Sequence, residues 1–121
     1  MSKTILVVDD EPNIVCLLEA RLRANGYEVL TATRGQEGLD KCKQYKPGAV
    51  ILDILMPDMD GSEVAASIRE DPSISHIPII FLTAFVKPYE VPKNHIIGGQ
   101  YFLAKPFRNE ELLGLVNKIF G

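Results

Sequence analysis

The sequence predicts an α/β fold in which a five-stranded parallel sheet carries helices on both faces. Short unbroken apolar runs, Thr4–Val8, Ala49–Leu52 and Ile79–Leu82, are bounded by turn residues, which is the habit of strands buried on both faces. Segments with apolar residues at helical spacing lie between such runs, so strands alternate with helices. Acidic, hydroxyl or amine side chains follow the runs: Asp9 and Asp10, Asp53, Thr83 and Lys105. The chain has 121 residues, 46% hydrophobic and 24% charged, which suits one globular domain over 1–121 with a core of its own.

Each element has a local cause. After the first strand, Pro12 suits the opening turn of a helix, where its missing N–H is not needed. Ile14, Leu17, Leu18 and Leu22 recur at helical spacing, and Asn25-Gly26 ends that helix. Glu28–Ala32 reads as a weaker second strand. A helix from Gly35 to Gln44 follows, with Gly35, Gly38, Leu39 and Cys42 on one face. Two glycines there cost about 1 kcal/mol each relative to alanine, so their presence implies close packing on the sheet. The Lys46-Pro47-Gly48 break precedes the central strand, and Pro57, Asp58, Asp60 and Gly61 form a turn beyond it. A helix after Gly61 turns Val64, Ala65 and Ile68 inward, and Asp71 to Pro78 is a loop. The last strand is Tyr101–Ala104, and Asn109 caps a final helix with Leu112, Leu115, Val116 and Ile119 on its buried stripe.

The fourth crossover departs from this scheme. Residues 84–100 hold Pro88 and Pro92, and a proline inside a helix costs about 3 kcal/mol. The expectation is a fourth helix that is short, displaced or mobile.

Bulk composition excludes several classes. A net charge of −3 argues against a nucleic-acid surface. No run approaches the ~18 apolar residues of a membrane span, and the N-terminal apolar run is too short for a signal peptide. Cys16 and Cys42 lie in helical patterns and read as reduced thiols of a cytoplasmic protein. His76 and His95 are isolated and receive no chemistry.

In a parallel sheet the strand ends of one kind share one edge, so Asp9, Asp10, Asp53, Thr83 and Lys105 can converge. Three carboxylates in one pocket repel, and they either take up protons or hold a cation. Mg²⁺ fits an open acidic pocket of this kind. A hydroxyl and an ammonium opposite it make a phosphoryl cradle, with Asp53 as the carboxylate nucleophile. The blander alternatives are a turn-forming Asp53, helix-capping by Asp9 and Asp10, and a solvated Lys105. Asp58 and Asp60 read as turn residues rather than ligands.

The chain resembles the response-regulator receiver domains of two-component signalling. The resemblance rests on Val7-Val8-Asp9-Asp10-Glu11-Pro12, on Leu52-Asp53 with Met56-Pro57 and Asp60-Gly61, on Leu82-Thr83-Ala84, and on Ala104-Lys105-Pro106-Phe107, in order across nearly the whole chain. It implies a doubly wound, flavodoxin-like sheet of order 2-1-3-4-5. It also implies that Asp53 accepts a phosphoryl group from a histidine kinase or phosphotransfer protein. By the same resemblance Asp10, Asp53 and the main-chain carbonyl of Leu55 bind Mg²⁺, and Asp9 holds a metal-bound water. Lys105 contacts a phosphoryl oxygen and precedes a cis bond to Pro106. Thr83 moves to the phosphoryl group, and Phe102 swings into the space it leaves. Phe102 as plain core is the alternative. Ile14 and Leu17, with Pro106, are candidates for the kinase-docking patch, and the first two read equally as core.

Leu55 and Phe85 would flank the path of the hydrolytic water in such a domain, and neither can orient it, so slow autodephosphorylation is expected. A Mg²⁺-dependent phosphohydrolase would want a second acid where Leu55 stands, and a phosphorylation-independent adaptor would not need the five-residue set. The broken fourth crossover argues against carrying over the family's dimer, leaving a monomer or weak dimer. No output domain is present in 1–121, which fits a free-standing regulator or a piece of a longer regulator or hybrid kinase. The downstream protein target is not legible.

Overall fold

The computed structural model describes residues 3–54, 56–83, 96–97 and 100–121. Strands β1 (Thr4–Val8), β2 (Glu28–Ala32), β3 (Ala49–Asp53), β4 (Ile79–Thr83) and β6 (Gln100–Ala104) are parallel neighbours in the order β2-β1-β3-β4-β6. Counting parallel strands alone, this is the expected 2-1-3-4-5. The helices among the described residues are α1 (Pro12–Ala24), α2 (Gly35–Tyr45), α3 (Gly61–Glu70) and α4 (Asn109–Phe120).

The period-two alternation of the strands divides the core between the two faces. Ile5, Val7, Ile51, Ile80, Leu82 and Leu103 face one way, with Leu18 and Leu22 of α1 and Leu112 and Val116 of α4. Leu6, Val8, Val50, Leu52 and Phe81 face the other, with Leu39 and Cys42 of α2 and Val64 and Ile68 of α3. Complete burial of a single Leu or Ile is worth about 1.5–3 kcal/mol, so both faces are firmly held. Gly38 is the point of close approach expected from the sequence: a Cβ there would lie 2.7 Å from Val8 Cγ2. Helix α2 thus lies directly on β1.

Two differences from the sequence reading stand out. A two-residue strand, β5 (Ile96–Ile97), pairs antiparallel with β6 through Ile96↔Tyr101 and Ile97↔Gln100, making the sheet six-stranded. In the sequence, Gly98-Gly99 between Ile96-Ile97 and Gln100-Tyr101 is a hairpin signal that the expectation of a short fourth helix left unused. The second difference is at α4, where Arg108, not Asn109, occupies the N-cap position. Its N–H donates to Glu111 Oε1 at 3.0 Å, so the acid in the first turn serves the cap and the helix begins with Asn109 inside it. The expected short fourth helix, with Pro88, Pro92, Phe85 and His95, lies outside the described residues, as does Leu55.

Candidate functional site

Parallel pairing brings the carboxyl ends of β1, β3, β4 and β6 to one edge. Val8 is opposite Leu52, Asp53 opposite Leu82, and Thr83 opposite Ala104. Backbone hydrogen bonds continue just past the strands: Asp9 N donates to Ala32 O at 3.1 Å, Ile54 N to Leu82 O at 3.2 Å, and Lys105 N to Thr83 O at 2.9 Å. Among the described residues three polar ones are buried, Asp9, Asp53 and Thr83, at 0%, 7% and 2% exposure, and all three stand on this edge. Burial of polar groups is costly unless they are paired, so their concentration at one place marks a site and not a packing accident.

One carboxylate oxygen from each of Asp9, Asp10 and Asp53 lies within 4.8 Å of the others, with Asp10 the most exposed of the three. Lys105, directly after β6, reaches the same cluster. Its Nζ is 2.8 Å from Asp9 Oδ2, 3.4 Å from Glu11 Oε1 and 3.7 Å from Asp53 Oδ2. Burial by itself would lower the lysine's pKa. The hydrogen bond and charge of Asp9, and then the charges of Asp53 and Glu11, outweigh that and hold it above the ordinary lysine range. The Lys105–Pro106 bond is cis.

The donor set fits a hard divalent cation. It is all carboxylate oxygen, carries three formal negative charges, and opens to solvent at Asp10, where water can complete the coordination. Asp9 Oδ1 is occupied by the Glu11 N–H at 2.9 Å, whereas its buried Oδ2 lies 2.8 Å from the Lys105 ammonium.

The segment from Asp53 to α3 is folded tightly back on the sheet. Gly61 N donates to Ile54 O at 2.7 Å. A Cβ on Gly61 would overlap Asp53 O and come within 2.8 Å of Ile54 Cα, so only glycine fits. Asp58, expected to be a turn residue, lies in the bend before α3 and also bonds to α2: its Oδ1 accepts from Gly35 N at 3.0 Å and its Oδ2 from Gln36 N at 3.2 Å.

The remaining predicted residues are distributed as follows. Phe102 is half-buried and stacks on Phe81 with ring centroids 5.4 Å apart. Ile14 packs against the core from the edge of α1, while Leu17 is 38% exposed, so the structure separates two residues that the sequence left together. Pro106 is exposed beside Lys105. His76 precedes β4 and therefore belongs to the opposite edge of the sheet. Glu11 was missed as a partner of Lys105; its place directly after two clustered acids was the available signal.

The response regulator receiver domain family matches residues 5–117. The chain belongs to the response-regulator receiver family. This receiver domain is 38% identical over 119 residues to the alkaline phosphatase synthesis transcriptional regulatory protein PhoP of Bacillus subtilis, covering 98% of this chain and 49% of that protein. It is also 38% identical to the response regulator PleD of Caulobacter vibrioides, covering 98% of this chain and 26% of the relative. The receiver domain thus spans about half or less of the length of these curated relatives. Among solved structures it is similar to the Vibrio cholerae chemotaxis protein CheY4, with a TM-score of 0.84 at 31% identity, covering 98% of this chain and 99% of the other. It is likewise similar to the receiver domain of the sensor histidine kinase PA1611 from Pseudomonas aeruginosa, with a TM-score of 0.83 at 28% identity and full coverage of both chains. That structure has a magnesium ion coordinated in its active-site cleft. The receiver domain is a signalling switch, with the doubly wound architecture expected of the family. No helix among its described residues is long and apolar enough to cross a membrane.

Proposed function

We propose that Asp53 is the phosphoacceptor of a two-component phosphorelay, charged by a histidine kinase or a phosphotransfer protein, and that residues 1–121 form one such cytoplasmic receiver domain. The observation that carries this is the convergence of Asp9, Asp10 and Asp53 around a common point with the Lys105 ammonium facing them. Asp10, Asp53 and the main-chain carbonyl of Leu55 would hold Mg²⁺, with Asp9 supporting it from the outer sphere. When bound, the ion supplies positive charge against which phosphoryl oxygens gather.

In this reading a carboxylate oxygen of Asp53 forms the new bond to phosphorus. The bond from phosphorus to the donor's imidazole nitrogen breaks, and that nitrogen keeps the electron pair. Lys105 leaves its ion pair with Asp9 to meet a phosphoryl oxygen, and the Thr83 hydroxyl donates to another. The movement of Thr83 makes room for Phe102, whose stack on Phe81 is the contact to be exchanged. Leu17 and Pro106, both exposed, and the partly buried Ile14 are the docking residues offered to the phosphodonor. The output is altered binding of a downstream protein by a monomer or weak dimer. Turnover is limited to gaining and losing the domain's own phosphoryl group.

Incubation with acetyl phosphate and Mg²⁺, read by intact mass, tests this. One stable phosphoryl group on the wild type and none on Asp53→Asn is the expected result. Continuous substrate turnover would indicate a phosphohydrolase, and an unmodified protein would indicate an adaptor; either overturns the proposal.

A further inference from the structure

The acids of the site come from two strands, and α2 joins them. Gly38 seats α2 against Val8, the residue before Asp9 and Asp10. One turn earlier, at its N-terminus, α2 receives the loop that follows Asp53. Arg34 occupies the N-cap position of α2 but makes no side-chain capping bond. The first-turn amides of Gly35 and Gln36 are served instead by Asp58, from the β3–α3 loop, at 3.0 and 3.2 Å. Met59 closes the same contact: a Cβ on Gly35 would lie 2.9 Å from both Met59 Cβ and Met59 O.

We propose that Asp58 is a positioning residue for the cation site: by capping α2 from a distant loop it fastens the segment after Asp53 to the helix that rests on β1, and so sets the first-strand acids and Asp53 at their working separation. The Gly35 N–H chiefly, against an opposing effect of burial, and then the Gln36 N–H hold the Asp58 carboxyl below the usual carboxylate range, as a carboxylate accepting two amides requires. Without this clasp the loop must be ordered when the cation arrives, and apparent affinity falls with the fraction of molecules already ordered. A lost cap of ordinary strength predicts about threefold to tenfold weaker binding.

The inference rests on the Mg²⁺ reading above, and the experiment separates the two. The full chain and its variants are titrated with MgCl₂ by calorimetry, in parallel with urea unfolding in the absence of metal. Asp58→Ala and Gly35→Ala, which attack the contact from its two sides, are expected to weaken Mg²⁺ binding by the stated factor. Asp58→Asn keeps a carbonyl acceptor and is expected to recover part of the loss. Tyr27→Phe removes the Tyr27–Asn117 hydrogen bond of 2.9 Å near the opposite edge, and is expected to lower stability with Mg²⁺ affinity intact. Wild-type affinity in Asp58→Ala and Gly35→Ala would overturn the positioning role alone. No Mg²⁺ binding by the wild type would overturn the function reading with it. If Asp58→Ala does not fold, wild-type affinity in both Asp58→Asn and Gly35→Ala overturns the positioning role.

Discussion

Two Gly→Ala substitutions of identical chemistry are expected to act in opposite directions. At Gly114, in the interior of α4, an added Cβ meets nothing within 4 Å. Alanine there stabilises by about 0.5–1 kcal/mol, through helix propensity and a less flexible unfolded chain. At Gly61 the same methyl overlaps the backbone oxygen of Asp53 and presses on Ile54 Cα at 2.8 Å. Neither atom belongs to a flexible side chain, so relief requires the start of α3 to withdraw by on the order of 1 Å, in an interior packed like a crystal. Overpacking of this kind costs about 1–3 kcal/mol, which for a chain of this size lowers the melting temperature by about 4 °C per kcal/mol. The atoms pressed upon belong to the peptide of Asp53, the proposed phosphoacceptor. Phosphorylation by acetyl phosphate, measured well below the melting transition, is therefore expected to slow by about 10- to 100-fold. Thermal unfolding and phosphorylation rates of both variants check this. A Gly61→Ala protein as stable and as reactive as the wild type would refute the packing argument.

Lys105→Met leaves Asp9 buried without its ammonium and is expected to lower stability at pH 7 by about 2 kcal/mol, part of which Mg²⁺ restores. Because the folded lysine's pKa lies above its ordinary value of 10.5, this contribution is fully present below that pH and disappears only as pH rises through the folded value. Urea midpoints of the two proteins should therefore differ by a constant amount from pH 7 to about 10, and convergence below pH 9 would contradict the assignment. The double variant Leu55→Asn/Phe85→Glu supplies polar groups along the expected water path and should speed loss of the phosphoryl group; an unchanged lifetime rules that path out. Iodoacetamide at pH 8 should label the exposed Cys16 and spare Cys42, which is buried and whose thiol is pushed up to about 11 chiefly by desolvation. Equal labelling of both cysteines in the native protein would show that the α2–sheet packing is looser than described.

The five parallel strands, the helices α1 to α4 and the candidate pocket residues were legible in the amino-acid order, because each depends on local signals. An unbroken apolar run such as Ala49–Leu52 states its own burial, and Pro12 and Asn25-Gly26 mark where α1 begins and ends. The strand-end positions of Asp9, Asp53, Thr83 and Lys105 follow from the same signals once the sheet is parallel. Other features depend on how elements separated in sequence come to rest against each other. That Lys105 stands nearer Asp9 than Asp53, that Asp58 caps a helix 23 residues earlier, and that Gly61 must be glycine because Asp53 O fills its Cβ position were decided by packing alone. The same holds for β5, whose two residues become a strand only because β6 offers an edge. Periodicity along the chain carries which face of an element is apolar; it does not carry the few ångströms of offset between elements, and those offsets set every distance at the site.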